Sequence, residues 1–305
     1  MIDSFSPQWL AQLDAIVPVQ GKQTYLLIDG VFLDDTLSFV RRWPLPVEPQ
    51  NALFYERANN DADVLTASPW LLPYLPDSEP ARKLLAQFNA LPAVICIHAA
   101  DALPTLLSRL KRWTVVSCGD MQFNFRFTDT RRLPAIHRAL TPTQKASLFG
   151  HHDQWAFMSR HGQWEALQTL DASHGNESQL IAASPWDELK APELNDDQFA
   201  ALLNDSEPDE VIAAVWGDLP EGCATRTVSR PSEIHHQAVH ALKQADRLGV
   251  TNTPDRMSIC RWVLQQRATE RLTLLQNAHQ WIPDLPVDEA LQSLEAASHL
   301  PSRYA

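Results

Sequence analysis

The residues best spaced for chemistry are His236 and His240, in the run His235-His236-Gln237-Ala238-Val239-His240. Four apart on a helix, they share one face, the geometry with which a metalloprotease helix holds zinc. That reaction needs a glutamate directly after the first histidine as general base. Gln237 stands there, and an amide cannot take the proton of a metal-bound water at neutral pH. The pair reads as helix-surface histidines, with a metal-dependent hydrolase as the alternative. Asp29-Gly30 closes an apolar run, where an aspartyl-phosphate chemistry would want a second aspartate two residues on. Val31 fills that place, so Asp29 reads as a turn former. His151-His152-Asp153 reads as a polar loop after Gly150. The chain has no G-x-S-x-G, no G-x-x-x-x-G-K-[ST] and no G-x-G-x-x-G. The expectation is a protein that is not an enzyme and uses no metal or cofactor.

Charged residues with another use sit in Phe123-Asn-Phe-Arg-Phe-Thr-Asp-Thr-Arg-Arg-Leu133. Aromatic and polar residues alternate with period two, as in a half-buried strand. Phe123, Phe125 and Phe127 share one face, and Asn124, Arg126 and Thr128 the other. Asp129 to Arg131 then turn the chain. Arg126 points away from the phenylalanines and can hold a carboxylate such as Asp129 bidentately, either fixing the turn or meeting a partner. Arg126, Asp129 and Arg131 are therefore candidate partner-binding residues.

The elements around that stretch follow from periodicity. Leu133, Ile136 and Leu140 fall at helical steps, and Thr141-Pro142-Thr143-Gln144 starts a second helix that Gly150 is suited to end. Tyr25–Ile28 and Ala93–Ile97 are apolar runs typical of buried strands, with helical patterns at Leu84–Phe88 and Leu103–Trp113. Val115-Val116 and Gln122–Phe127 make a hairpin across Cys118-Gly119-Asp120. A last hairpin flanks Arg160-His161-Gly162. Strand, helix, strand in this order predicts a mixed sheet flanked by helices. Further on, helices are expected from Asp196, from Pro208, over Ser232–Leu248 with Gly249 as its cap, from Thr253-Pro254, and over Val287–Leu300. The fold class is an α/β (α+β) N-terminal lobe over 1–170, a polar linker over 171–185, and an all-helical C-terminal lobe over 186–305.

The Phe-Arg-Phe strand, the Asp-x-Arg turn, the later helix ending in Phe149-Gly150 and the tryptophan beyond resemble one family. It is the type VI secretion adaptor-chaperones (Tap or TEC proteins, domain of unknown function 4123). Tyr25-Leu-Leu-Ile-Asp29-Gly30 stands where that family opens its first strand. Leu53-Phe54 stands where it has a second short strand, and Ser68-Pro69-Trp70-Leu71-Leu72 just after. The resemblance covers roughly 23–155. It departs from the family at Thr128, where an aromatic is expected, and at Thr130, where proline is expected. It implies a cytoplasmic, non-catalytic protein that holds a toxic effector and loads it onto a VgrG-type spike. Effector binding is expected on the N-terminal sheet and the cleft between lobes. A structural subunit of the secretion apparatus is the other alternative.

Composition fits such a protein. A hydrophobic share of 45% and a charged share of 20% are ordinary for a globular chain. Four widely spaced cysteines read as buried thiols. The N-terminus has neither the basic region nor the apolar core of a signal peptide, and no apolar run is long enough to span a membrane. The net charge of -12 argues against nucleic acid or an anionic membrane as partner. Between Asp187 and Glu221, eleven acidic residues face one base, Lys190, which makes that tract either a solvated face or a docking surface for a basic segment. Of ten tryptophans, Trp43, Trp70 and Trp186 lie beside proline in loop-like sequence and are candidate interface anchors.

Overall fold

Tyr25–Ile28 is apolar at every position because its strand is covered on both faces. In a computed structural model of the chain, residues 1–16, 21–59, 61–167, 191–223, 225–226, 229–265 and 291 are described. Two compact units result, Met1–Asp205 and Ser206–Ala305. The expected linker, 171–185, lies within 168–190, outside the described residues.

The first unit is built on strands β1 (Gln23–Asp29), β2 (Pro69–Pro73), β3 (Val94–Ala99), β6 (Gln154–Met158) and β7 (Trp164–Ala166). They lie in the order β2-β1-β3-β6-β7, and each neighbouring pair is antiparallel. β4 (Val115–Cys118) and β5 (Met121–Asn124) form a separate hairpin. A parallel bridge, Ser117 to Glu193, joins that hairpin to the segment before the first long helix.

Period-two geometry then sorts the side chains of the large sheet into two cores. Tyr25, Leu27, Leu71, Ile95, Ile97, Trp155 and Phe157 face one way. Helices α6 (Leu103–Arg112), α7 (Leu133–Ala139) and α8 (Pro142–Phe149) cover them with Leu106, Leu110, Leu133, Ile136 and Leu148, joined by Phe125 and Phe127. Leu26, Ile28, Trp70, Leu72, Val94, Cys96 and Met158 face the other way, against α1 (Trp9–Ala15), α2 (Thr36–Arg41) and α5 (Glu79–Leu85). Short helices α3 (Tyr55–Ala58) and α4 (Ala62–Ala67) lie on the connection from α2 to β2. A fully buried aliphatic side chain contributes about 1.5–3 kcal/mol, so two such layers dominate the stability of this unit.

The β2 edge is closed by named groups. Its outward carbonyls on Pro69, Leu71 and Pro73 accept from Leu53 N at 2.8 Å, Asn51 Nδ2 at 3.0 Å and Trp43 Nε1 at 2.9 Å. Proline at both ends removes two outward N–H groups, which leaves little of this edge for another strand.

Three local expectations are corrected. Leu53-Phe54 is not a strand: a 3-10 turn over Pro49–Asn51 delivers the chain sideways, leaving one bridge, Ala52 to Trp70. The Phe-rich strand stops at Asn124: one more bond in register, Phe125 N to Thr114 O, follows, and then Phe127 N folds back to Phe125 O. Beyond it Phe125 and Phe127 are buried and Arg126 is exposed as expected, but Thr128 is buried as well. Lastly, Pro208 does not start a helix. It lies inside α9 (Asp196–Val215), where its fixed φ suits a helix but the missing N–H and the crowding of its ring against the preceding turn cost about 3 kcal/mol.

In the second unit, the part of α9 after Asp205 packs with α10 (Pro231–Arg247) and α11 (Thr253–Gln265). Val211, Ile212, Val215, Ile234, Ala238, Leu242, Ile259 and Val263 form its core. Arg256, largely buried, binds Glu207 with Nε–Oε1 at 2.6 Å and Nη2–Oε2 at 2.8 Å, and Asp246 with Nη1–Oδ1 at 2.5 Å. The C-terminal region is thus helical where described. Among the described residues no helix is long and apolar enough to cross a membrane.

Candidate functional site

β1 ends by carrying a carboxylate into the protein. Asp29 is 3% exposed. Its Oδ1 accepts from Val31 N at 3.3 Å and caps the 3-10 turn Gly30–Phe32. Its Oδ2 accepts from the Thr128 hydroxyl at 2.8 Å. Gly30 is required beside it by close approach. A Cβ there would stand 2.6 Å from the Thr66 carbonyl oxygen and nearer still to that of Ser68. The short Thr128 hydroxyl is thus what reaches the Asp29 carboxylate.

The turn after Phe127 carries the second carboxylate. Asp129 is 1% exposed and accepts three bonds from Arg131: from its N at 3.1 Å, its Nε at 2.9 Å and its Nη2 at 2.7 Å. Backbone bonds from Asp129 N to Arg126 O and from Arg132 N to Asp129 O tighten the same turn. The bidentate partner of Asp129 is therefore Arg131 and not Arg126, a correction set by the turn, which folds Arg131 back over the carboxylate. Arg126 straddles both acids instead, with Nη2 at 3.6 Å from Asp29 Oδ2 and 3.9 Å from Asp129 Oδ2. Both guanidinium groups lie against the half-buried Phe32 ring, at 5.6 Å for Arg126 and 5.8 Å for Arg131 from its centroid.

Burial pushes the Asp29 carboxyl above its ordinary value, while Arg126, the Thr128 hydroxyl and the Val31 amide pull it down. The Asp129 charge is answered by a planar fork in a dry setting, which fixes geometry as well as energy. The cluster contains no cysteine, serine or lysine set against a base. What it offers chemically is a shaped pair of acids beneath one half-exposed cation.

Residues 24–147 match the family model described as Domain of unknown function (DUF4123). The match runs from β1 into α8 and contains every residue of the Asp29–Arg131 cluster, so the family resemblance read from the sequence holds at that level. No curated protein and no solved structure matches the chain.

The other residues singled out from sequence do not gather here. Trp43 and Trp70 are 6% and 3% exposed, so their placement at the surface is corrected. The Trp43 indole closes the sheet edge, and Trp70 Nε1 donates to Leu65 O at 3.1 Å. Trp186 lies outside the described residues. His236 and His240 are exposed on α10, and among the described residues no group of three or more His, Cys, Asp or Glu could hold a metal ion. Asp153 pairs with Arg109, while His151 and His152 are exposed. Part of the acidic tract is answered within its own unit, by Arg138 for Asp205, Arg256 for Glu207 and Arg261 for Asp218.

Asp29, Phe32 and Thr128 were not legible as members of the cluster. Asp29 and Thr128 are 99 residues apart, beyond any local pattern. The available signal was an aspartate ending a continuous apolar strand, a position that buries a charge and so demands a partner.

Proposed function

We propose that the chain is a non-catalytic adaptor-chaperone. It binds a toxic type VI secretion effector in the cytosol and loads it onto a VgrG-type spike. The observation that carries this reading is the DUF4123 match over 24–147, across the stretch whose motif residues resemble those of such adaptors. The chemistry of the cluster supports it. Asp29 and Asp129 are both committed to internal partners, an arrangement suited to holding a surface in shape rather than to moving protons. Arg126 alone of these four charged groups reaches well into solvent, with 51% of its side chain exposed.

Loading followed by release calls for affinity in the micromolar to nanomolar range rather than an obligate complex. The test is co-expression of the tagged chain with the product of the neighbouring toxin gene. Recovery of the toxin with the tag, and a higher yield of intact toxin than when it is expressed alone, supports the adaptor. A chain that captures only the spike is a structural subunit of the apparatus. A chain that captures neither is no adaptor.

A further inference from the structure

Arg126 and Arg131 share one aromatic ring but use their donors differently. Arg131, 15% exposed, spends Nε and Nη2 on Asp129. The Arg126 side chain is half exposed and its guanidinium makes no hydrogen bond among the described residues, since its two carboxylate neighbours stand at 3.6 Å and 3.9 Å. A guanidinium has five N–H donors in one rigid plane, matched to the two oxygens of a carboxylate. Here the plane is held by two buried acids and the Phe32 ring, while its donors stay unspent. Holding the group in advance lowers the entropy cost of docking. Burial also works against the charge on Asp29, which weakens the chain's own claim on Arg126.

We propose that Arg126 is a receptor for a carboxylate of the bound effector protein, taken as a bidentate pair on the exposed side of the guanidinium. This rests on the adaptor reading for the source of the carboxylate, and deepens it by naming the chemistry recognised. A nucleic-acid phosphate is disfavoured as the occupant because the chain carries a net charge of -12. Val31, 52% exposed and next to Phe32 in sequence, adds apolar surface to the same segment.

The test has two arms, both with the full chain. In the first, wild type, Arg126→Gln and Arg126→Lys are compared for capture of the neighbouring toxin. Loss of a charge-assisted bidentate pair weakens capture by about ten- to a hundredfold for the glutamine variant. The lysine variant, with charge but no fork, falls between. In the second, the Arg126 Nε–Hε resonance is followed while three peptides are titrated to tens of millimolar: Ac-Val-Glu-Leu-NH2, Ac-Val-Gln-Leu with a free C-terminus, and Ac-Val-Gln-Leu-NH2. A saturable shift with either carboxylate peptide and none with the fully amidated glutamine peptide supports the receptor. Which of the two moves it separates a side-chain from a C-terminal carboxylate.

Toxin captured equally by wild type and Arg126→Gln overturns the receptor and leaves the adaptor standing. If wild type captures no toxin, the adaptor reading falls and the titration alone decides the site. Equal or absent shifts with all three peptides then overturn it.

Discussion

Replacing Asp129 by asparagine separates the residues that hold the turn from the one that faces outward. Asp129 is 1% exposed, and its oxygens accept at 3.1, 2.9 and 2.7 Å from Arg131. Asparagine keeps one acceptor, turns the other into a donor aimed at Arg131 Nη2, and removes the charge. Breaking a buried pair costs roughly 3–5 kcal/mol. Arg131 retains 15% exposure, so water relieves part of this and the lower end, about 3 kcal/mol, applies. For a unit the size of Met1–Asp205 each kcal/mol moves the midpoint by about 2–4 °C, so Asp129→Asn should melt roughly 6–12 °C below wild type.

Arg126→Gln removes a half-exposed cation whose ion pairs stand at 3.6 and 3.9 Å. Pairs of that kind contribute about 0–1 kcal/mol, so its melting point should change by less than about 4 °C. Near-ultraviolet circular dichroism, which follows the buried tryptophans, reads both. An Asp129→Asn variant that melts within about 2 °C of wild type, or an Arg126→Gln variant that falls as far as Asp129→Asn, would deny the difference between the two residues.

Three further substitutions test the account elsewhere. Trp43→Phe keeps an aromatic ring but strips the Pro73 carbonyl of its 2.9 Å donor, and should lower stability by about 1–3 kcal/mol in urea titration; an unchanged midpoint would deny the edge-closing role. Gly30→Ala drives a methyl group into the Ser68 and Thr66 carbonyls and should cost at least about 1–3 kcal/mol, whereas Gly217→Ala, with nothing within 4 Å, should cost well under that. Burial raises the folded Asp29 pKa above its ordinary 3.8, so the folded state holds that proton more tightly than the unfolded chain. Wild-type stability therefore carries a component that falls as pH rises from 3.8 through the raised value. Asp29→Asn lacks it, so the stability of Asp29→Asn relative to wild type should grow with pH across that window and then level off. A difference that shrinks or stays flat would contradict the burial argument.

Much of the fold was legible because its causes are local. Thr141-Pro142-Thr143-Gln144 announced α8, and the structure closes that box with Gln144 N to Thr141 Oγ1 at 3.3 Å and Thr141 N to Gln144 Oε1 at 2.9 Å. Tyr25–Ile28 announced a doubly covered strand, and alternate residues do enter the two cores. What stayed hidden depends on distant pairing or on competition within a turn. Nothing local tells whether Asp129 is taken by the arginine three residues before it or two residues after it. Trp43, beside proline, looks like a loop anchor until a carbonyl on β2 claims its N–H. Proline usually starts or ends a helix, yet at Pro208 burial of Val211, Ile212 and Val215 offsets both the lost bond and the crowding of the ring, and the helix continues.

We propose that this chain joins a toxin to a spike. The most direct measurement is the mass of the complexes formed when purified chain, neighbouring toxin and spike trimer are mixed and resolved by size-exclusion chromatography with light scattering. An adaptor gives a chain–toxin complex, then a heavier species holding all three components, and toxin and spike form no such species when the chain is left out. A toxin that joins the spike equally well without the chain, or a chain that elutes alone beside both, would contradict it.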